Sequence, residues 1–243
     1  MDLRGATALV TGGAHRLGRE VALSLADAGA NVAFTYFSSG PAAEDTYRDI
    51  EARGVRGLAL RADAADDRQI ARALARLSAT FPRLDLWVAN AGAFRRTPLA
   101  SASERDWDEM LRGNFETFLV PARHIGPLMQ RQGAGCIVAL ADVAALRPWA
   151  DYIPYCVSKC SVVALMRDLA VRLAPQVRVN AIAPGPVLFP PGFPAAARAR
   201  EVARTRLRRA GEPRDVSAAV RYLATNDYVT GTLLPVDGGR LLA

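Results

Sequence analysis

Lysine is almost missing from this chain: of its 31 basic residues, 30 are arginine and the single lysine is Lys159. Where arginine fills every other basic role, a lone lysine points to a task that needs a compact ammonium with movable donors rather than a planar fork. Cysteine is scarce and odd in number. Cys136, Cys156 and Cys160 lack paired metal-ligand spacing, which argues against a disulfide framework or a zinc centre and leaves small buried fillers, with no metal expected. No apolar run reaches the roughly eighteen residues of a membrane span, and the stretch after Met1-Asp2-Leu3-Arg4 is too short for a signal sequence. These absences predict a cytoplasmic protein with no membrane partner. Gly/Ser linkers, charge blocks, low-complexity tracts and repeats are lacking too, so the chain reads as one domain, 1–243. Its net charge of +7 comes without the arginine-aromatic pattern of a nucleic-acid module, and a small anionic molecule, not nucleic acid, is the expected partner.

What is present is alternation. Short apolar, β-branched runs near 6–10, 31–36, 57–61, 86–89, 136–141, 177–182 and 233–236 alternate with helical patterns, the sequence form of right-handed βαβ units. The expected fold class is α/β: a doubly wound, parallel, seven-stranded sheet of Rossmann type with helices on both faces. The clearest helices are 17–28, with Val21, Leu25 and Ala28 on one stripe, and 66–80, with Ile70, Leu74 and Leu77. Two longer ones are expected at 107–132 and 155–173. Residues 184–196 hold five prolines and two glycines, and an arginine-rich helix follows. In a doubly wound sheet ligands bind beyond the carboxyl ends of the strands, so a substrate-binding lid is expected at about 186–210.

Two clusters carry the chemistry. Tyr155 lies four residues before Lys159, so on a helix phenol and ammonium share a face, and the positive charge favours tyrosinate. The first strand runs into Thr11-Gly12-Gly13-Ala14-His15-Arg16-Leu17-Gly18 and then a helix, where backbone N–H groups and the helix dipole meet a pyrophosphate. The absence of a Gly-Lys-Ser/Thr ending favours a dinucleotide over a nucleoside triphosphate. The second strand ends in Tyr36-Phe37-Ser38-Ser39, where an NAD-specific fold places an acid for the ribose diol. Hydroxyls in place of a carboxylate, with Arg16 nearby, predict NADPH as cofactor.

Taken together, these residues resemble the short-chain dehydrogenase/reductases along nearly the whole chain. The likeness extends to Asp63 after the third strand, Asn90-Ala91-Gly92 after the fourth, Asn114 in the fourth helix, Pro184-Gly185, and residues 228–239. The resemblance implies a homotetrameric enzyme whose Thr11, Gly12, His15, Arg16, Leu17, Gly18, Tyr36, Ser38 and Ser39 bind the cofactor. Asp63 and Ala64 would meet the adenine, Asn90, Ala91 and Gly92 would line the cofactor beside the glycine turn, and Pro184, Gly185 and Val187 would flank the nicotinamide. Tyr155 and Lys159 would be both catalytic and cofactor-binding, with Lys159 lowering the Tyr155 pKa and Asn114 holding a water that links Lys159 to solvent.

Three departures narrow the reading. Arg16 stands where the family usually has glycine, Asp142 stands thirteen residues before the tyrosine where it has serine, and Phe94 lies at the mouth of the pocket. All three resemble the pteridine reductases, most of all their bacterial relatives. That implies reduction of a C=N bond in a pterin or dihydropterin/dihydrofolate-like substrate, contacted by Arg16, Phe94, Asp142, Tyr155 and Leu188. An ionised Asp142 would repel a developing alkoxide but suits the amino and N–H edge of a pterin, and a protonated one could hand its proton to a ring nitrogen. Arg95 and Arg96 are candidates for a substrate carboxylate. Ser38, Ala89 and the lack of a threonine after Pro184-Gly185 depart from that branch. Two other readings stand: an NADPH-dependent carbonyl reductase acting on a 3-oxoacyl thioester or other ketone, and a catalytically inactive NADP(H)-sensing regulatory protein. The Tyr155-Lys159 pair and Asn114 argue against the sensor, which needs no proton relay.

Overall fold

A computed structural model describes all residues, Met1–Ala243. Seven strands, β1 (Thr7–Thr11), β2 (Asn31–Tyr36), β3 (Gly57–Arg61), β4 (Leu86–Ala89), β5 (Gly135–Leu140), β6 (Val177–Pro184) and β7 (Leu233–Val236), form one sheet in the order β3-β2-β1-β4-β5-β6-β7. Every pairing is parallel. The central strands are apolar on both sides because helices cover both faces. Successive residues alternate between two cores: Leu9, Trp87, Ile137 and Val179 join one, and Ala8, Val10, Leu86, Val88 and Val138 join the other.

The first core packs beneath α3 (Asp67–Thr80), α5 (Thr117–Arg131) and α6 (Ile153–Leu173), and the second beneath α1 (Arg16–Asp27), α2 (Gly40–Glu51) and α8 (Pro213–Thr225). Local sequence sets several boundaries. Asp66 caps α3 by accepting from the Gln69 N–H at 2.9 Å, and Pro154 occupies the first turn of α6, where its missing N–H costs nothing. This helix therefore starts at Ile153, two residues before the expected point. No helix is long and apolar enough to cross a membrane. Cys136 and Cys156 are buried as expected, and burial pushes the Cys136 thiol up to about 11; Cys160, against expectation, is exposed.

The long helix expected at 107–132 is interrupted. Helix α4 (Glu104–Leu111) is followed by a π turn, Arg112–Glu116, and only then by α5. Pro121 has no N–H for the Thr117 carbonyl and its ring crowds that carbonyl, which disturbs the helical ladder at this point. The Thr117 hydroxyl lies 3.1, 3.2 and 3.0 Å from the carbonyls of Ala91, Gly113 and Asn114. Gly113 permits the close approach, since a Cβ there would sit 2.8 Å from the Ala93 Cβ. The widened turn carries Asn114 into the loop that follows β4, a recurrent use of π turns at functional sites.

Strand order reverses between β1 and β4, whose ends pair Thr11 with Ala89. The loops leaving them form the walls of a crevice at the switch point. Asn90 fastens one wall to the other: its Nδ2 donates to the carbonyls of Thr11 at 3.1 Å and Gly12 at 2.9 Å, and its N–H donates to Thr11 Oγ1 at 3.2 Å. Gly18 is held in this knot, with an added Cβ falling 2.2 Å from the Gly12 oxygen and 2.4 Å from Asn90 Nδ2. Gly18→Ala is therefore expected to lower stability by about 1–3 kcal/mol, as overpacking does, with the loss read from the midpoint of urea unfolding.

Candidate active site

The glycine turn, the end of β2 and the loop after β4 share one cavity of ≈ 280 Å³. From the turn it takes Gly12, His15, Arg16, Leu17 and Gly18, from the end of β2 Tyr36, Ser38 and Ser39 with Phe37, and from the loop after β4 Asn90, Ala91 and Gly92. The start of α1 forms its floor without an acidic cap. His15 precedes α1 without a side-chain cap, and the first turn of α1 has no acidic residue, so its N–H groups stand open to an anion. Gly12 has φ +68°, which lets the backbone turn toward the cavity. These features suit a pyrophosphate-bearing dinucleotide. Thr11 lies deeper, fully buried, and serves to anchor Asn90 instead of lining the cavity.

Arg16 adopts φ +53°, a left-handed conformation that costs a non-glycine residue about 1–2 kcal/mol. Its guanidinium donates to the carbonyls of Leu188 at 3.4 Å and Phe189 at 3.3 Å. The glycine turn is thereby tied to the proline-rich segment between β6 and α7 (Ala195–Ala203), which brings Leu188 to the same mouth. Pro184 ends β6, while Gly185 and Val187 line a separate cavity of ≈ 480 Å³ against the C-terminal segment. A Cβ on Gly185 would lie 2.7 Å from the Asp237 Cα.

At the carboxyl end of β5 the second cluster assembles. Asp142 follows the strand and points one oxygen, Oδ1, at the Ala144 N–H (2.8 Å), while Oδ2 accepts from the Tyr155 hydroxyl at 2.7 Å. The carboxylate thus caps a turn and engages the phenol at once. Lys159, one turn along α6 from Tyr155, donates to the Leu140 carbonyl at 3.1 Å and is 7% exposed. Its Nζ is 5.8 Å from the Tyr155 ring centre. Asn114 accepts from the Ala93 N–H at 3.1 Å and donates to the Met110 carbonyl at 3.1 Å. Both its Oδ1 and Lys159 Nζ abut Gly92, at 3.0 and 3.6 Å from where a Cβ would be.

Burial dominates the electrostatics of this cluster. It raises the Asp142 carboxyl against the opposing pull of the Ala144 N–H, the Tyr155 hydroxyl and the Lys159 charge. Burial and then the Asp142 charge push the Tyr155 phenol well up, and burial lowers Lys159. The expected depression of the Tyr155 pKa by Lys159 is therefore reversed here: the ammonium bonds a backbone carbonyl, and desolvation and the adjacent carboxylate outweigh it.

A family model described as enoyl-(acyl carrier protein) reductase matches residues 12–240. The chain is 32% identical over 238 residues to the 3-oxoacyl-(acyl-carrier-protein) reductase FabG of Staphylococcus aureus, covering 96% of this chain and 97% of that one. It is 34% identical over 251 residues to 3beta-hydroxysteroid dehydrogenase 1 of Eggerthella lenta, covering 99% and 95%. The chain belongs to the short-chain dehydrogenase/reductase family. Among solved structures, the NADPH-dependent 3-quinuclidinone reductase of Rhodotorula rubra superposes with a TM-score of 0.92 at 28% identity, covering 100% of this dehydrogenase/reductase and 93% of that chain.

Several expected site residues of this dehydrogenase/reductase have partners within the chain. Arg95 pairs with Asp106 and Glu109, and Arg96 with Asp151 at 2.6 Å, all on the surface. Asp63 accepts from the Ala65 N–H at 2.9 Å and from Arg112 at 2.7 Å, and Ala64 is buried beside it. Phe94 is 41% exposed, and one face stacks on Tyr152 at 4.9 Å. Its ring also meets Tyr155 edge-on at 4.9 Å, and Trp149 lies 6.2 Å from both Phe94 and Tyr155. Sequence reasoning found Phe94 but missed Trp149 and Tyr152, whose place beside Tyr155 depends on the loop between β5 and α6.

A carboxyl whose folded pKa is raised contributes stability that is present in full below about pH 4 and lost as pH rises through the folded value. Asp142→Asn removes that penalty. Its melting temperature should exceed that of the wild type by more at about pH 8 than at about pH 3, below the unfolded carboxyl value; equal gaps in thermal scans at the two pH values would show that the fold does not raise the Asp142 pKa.

Proposed function

We propose that this chain is an NADPH-dependent carbonyl reductase acting on a ketone of the 3-oxoacyl thioester or cyclic ketone class. The observation that carries the reading is the 2.7 Å bond between the Tyr155 hydroxyl and Asp142. Bound nicotinamide supplies hydride to the carbonyl carbon, and the protein has to supply a proton to the oxygen. Two buried acids, both shifted toward their protonated forms, meet where that oxygen would lie. Tyr155 gives the proton. Asp142 stands in the place of the family's serine, accepts from the Tyr155 hydroxyl, and is shifted by burial toward the protonated form that could itself donate to the substrate oxygen. Lys159 keeps two N–H donors beyond the one on Leu140 for the ribose, and Asn114 stands beside it to hold a relay water. The named activities of the two curated relatives and of the solved reductase support carbonyl chemistry. The family resemblance supports a homotetramer.

A second reading, reduction of a pterin C=N bond, is favoured by the half-exposed Phe94 ring, whose face away from Tyr152 offers a stacking surface, and by Asp142 in the serine's place. NADPH consumption with a 3-oxoacyl thioester and cyclic ketones, set beside dihydrobiopterin and dihydrofolate, separates the two. Turnover of ketones, kept within about tenfold in Asp142→Ser, a small part of the 10²–10⁴ a positioned acid is worth, is the expected result. Turnover of pterins alone, abolished by the same substitution, would establish the second reading. Lys159→Arg keeps charge but forces a fork into a buried slot, and kcat should fall by about 10²-fold or more with the circular dichroism spectrum unchanged.

A further inference from the structure

NADPH differs from NADH by a phosphate on the adenosine 2′-oxygen, and a fold that prefers it needs positive charge at the end of β2. Arg16 is the residue the sequence offers; its Nη2 donates to the carbonyls of Leu188 and Phe189, which draws that end of the guanidinium toward the segment after β6. The structure brings a second cation to the place. Arg61, the last residue of β3, pairs in register with Tyr36, the last residue of β2. Its neighbours Leu60 and Ala62 both enter the core beneath α3 and α5, so strand alternation turns Arg61 to the opposite face, beside the segment that leads into α2. There its Nε donates to the Phe37 carbonyl at 3.4 Å.

Other arginines nearby are neutralised: Arg19 by Asp49, Arg48 by Asp45 and Arg53 by Asp27. Arg61 is exposed and holds a backbone oxygen instead of a carboxylate. Beside it, Phe37, Ser38 and Ser39 line the nucleotide cavity. Ser39 precedes α2 without spending its side chain as a cap, and the first turn of that helix has no acidic residue. A dianion at this point meets a guanidinium fork, two hydroxyls and a helix start without an acidic residue in its first turn.

We propose that Arg61 is the residue that selects the 2′-phosphorylated cofactor, the charge reaching the end of β2 from the neighbouring strand. This rests on the reading of the chain as an NADPH enzyme. The test uses two fragments that bind without turnover, adenosine 2′,5′-bisphosphate and 5′-AMP, titrated calorimetrically into the whole protein. Wild type should favour the bisphosphate. In Arg61→Gln its Kd should rise about tenfold or more, the scale of a lost charge-assisted contact, with 5′-AMP binding and melting temperature unchanged. Arg61→Lys, which keeps charge without the fork, should fall between, and the preference should weaken with salt because the site is exposed. Arg16→Ala should leave the preference in place. A preference that survives Arg61→Gln and disappears in Arg16→Ala overturns the proposal. If wild type binds both fragments alike, the NADPH reading itself falls, and with it any selecting role for Arg61.

Discussion

The contact between the Tyr155 hydroxyl and the Asp142 carboxyl governs the site because both groups are out of water. A carboxylate and an ammonium packed with a phenol into one apolar corner do not keep their charges freely: desolvation favours the neutral form of each and holds the phenol protonated, and mutual attraction restores only part of the loss. A proton held between Asp142 and Tyr155 is the economical arrangement. It also puts a hydrogen-bonded phenol at the carboxyl end of β5, the end of a parallel sheet at which ligands bind.

Holding that cluster requires elements far apart in sequence. β5 supplies Asp142 and the Leu140 carbonyl, α6 presents Tyr155 and Lys159 on one stripe, and the π turn delivers Asn114 to the same corner. The parallel sheet makes this convergence possible, since every strand ends on the same side and each crossover helix returns the chain to the opposite end. The nucleotide cavity uses the same edge one strand away, where β1 and β4 part. Arg16 ties this cavity to the segment after β6 at the cost of a strained backbone, a conformation that persists only where surrounding contacts enforce it.

Much of this was legible before the structure. The strands announced themselves because β-branched and apolar residues are confined to short runs between helical patterns, and Tyr155 and Lys159 stood out because no other lysine competes for attention. Other features depend on what is not local. The proton affinity of Tyr155 read in reverse, because charge proximity is visible in sequence spacing and desolvation is not. The break at Arg112–Glu116 was hidden inside a good helical period, with Pro121 as the one clue. Arg61 looks like any solvated arginine until strand register sets it beside Tyr36. The ion pairs of Arg95 and Arg96 were not legible because their acidic partners, Asp106, Glu109 and Asp151, lie some distance along the chain.

The π turn has a consequence for how sequences of this kind can diverge. The wide turn takes up one extra residue within about the rotation that four residues of a regular helix make, so the spiral downstream keeps its phase. The apolar stripe of α5, with Phe118, Ile125 and Met129, stays on the sheet across it. Deleting a single residue between Arg112 and Glu116 would restore a regular spiral with those side chains still on the core, yet it would remove the bulge that carries Asn114 toward the loop after β4. The extra residue therefore answers to the site and not to the core, and its loss should cost activity before it costs stability.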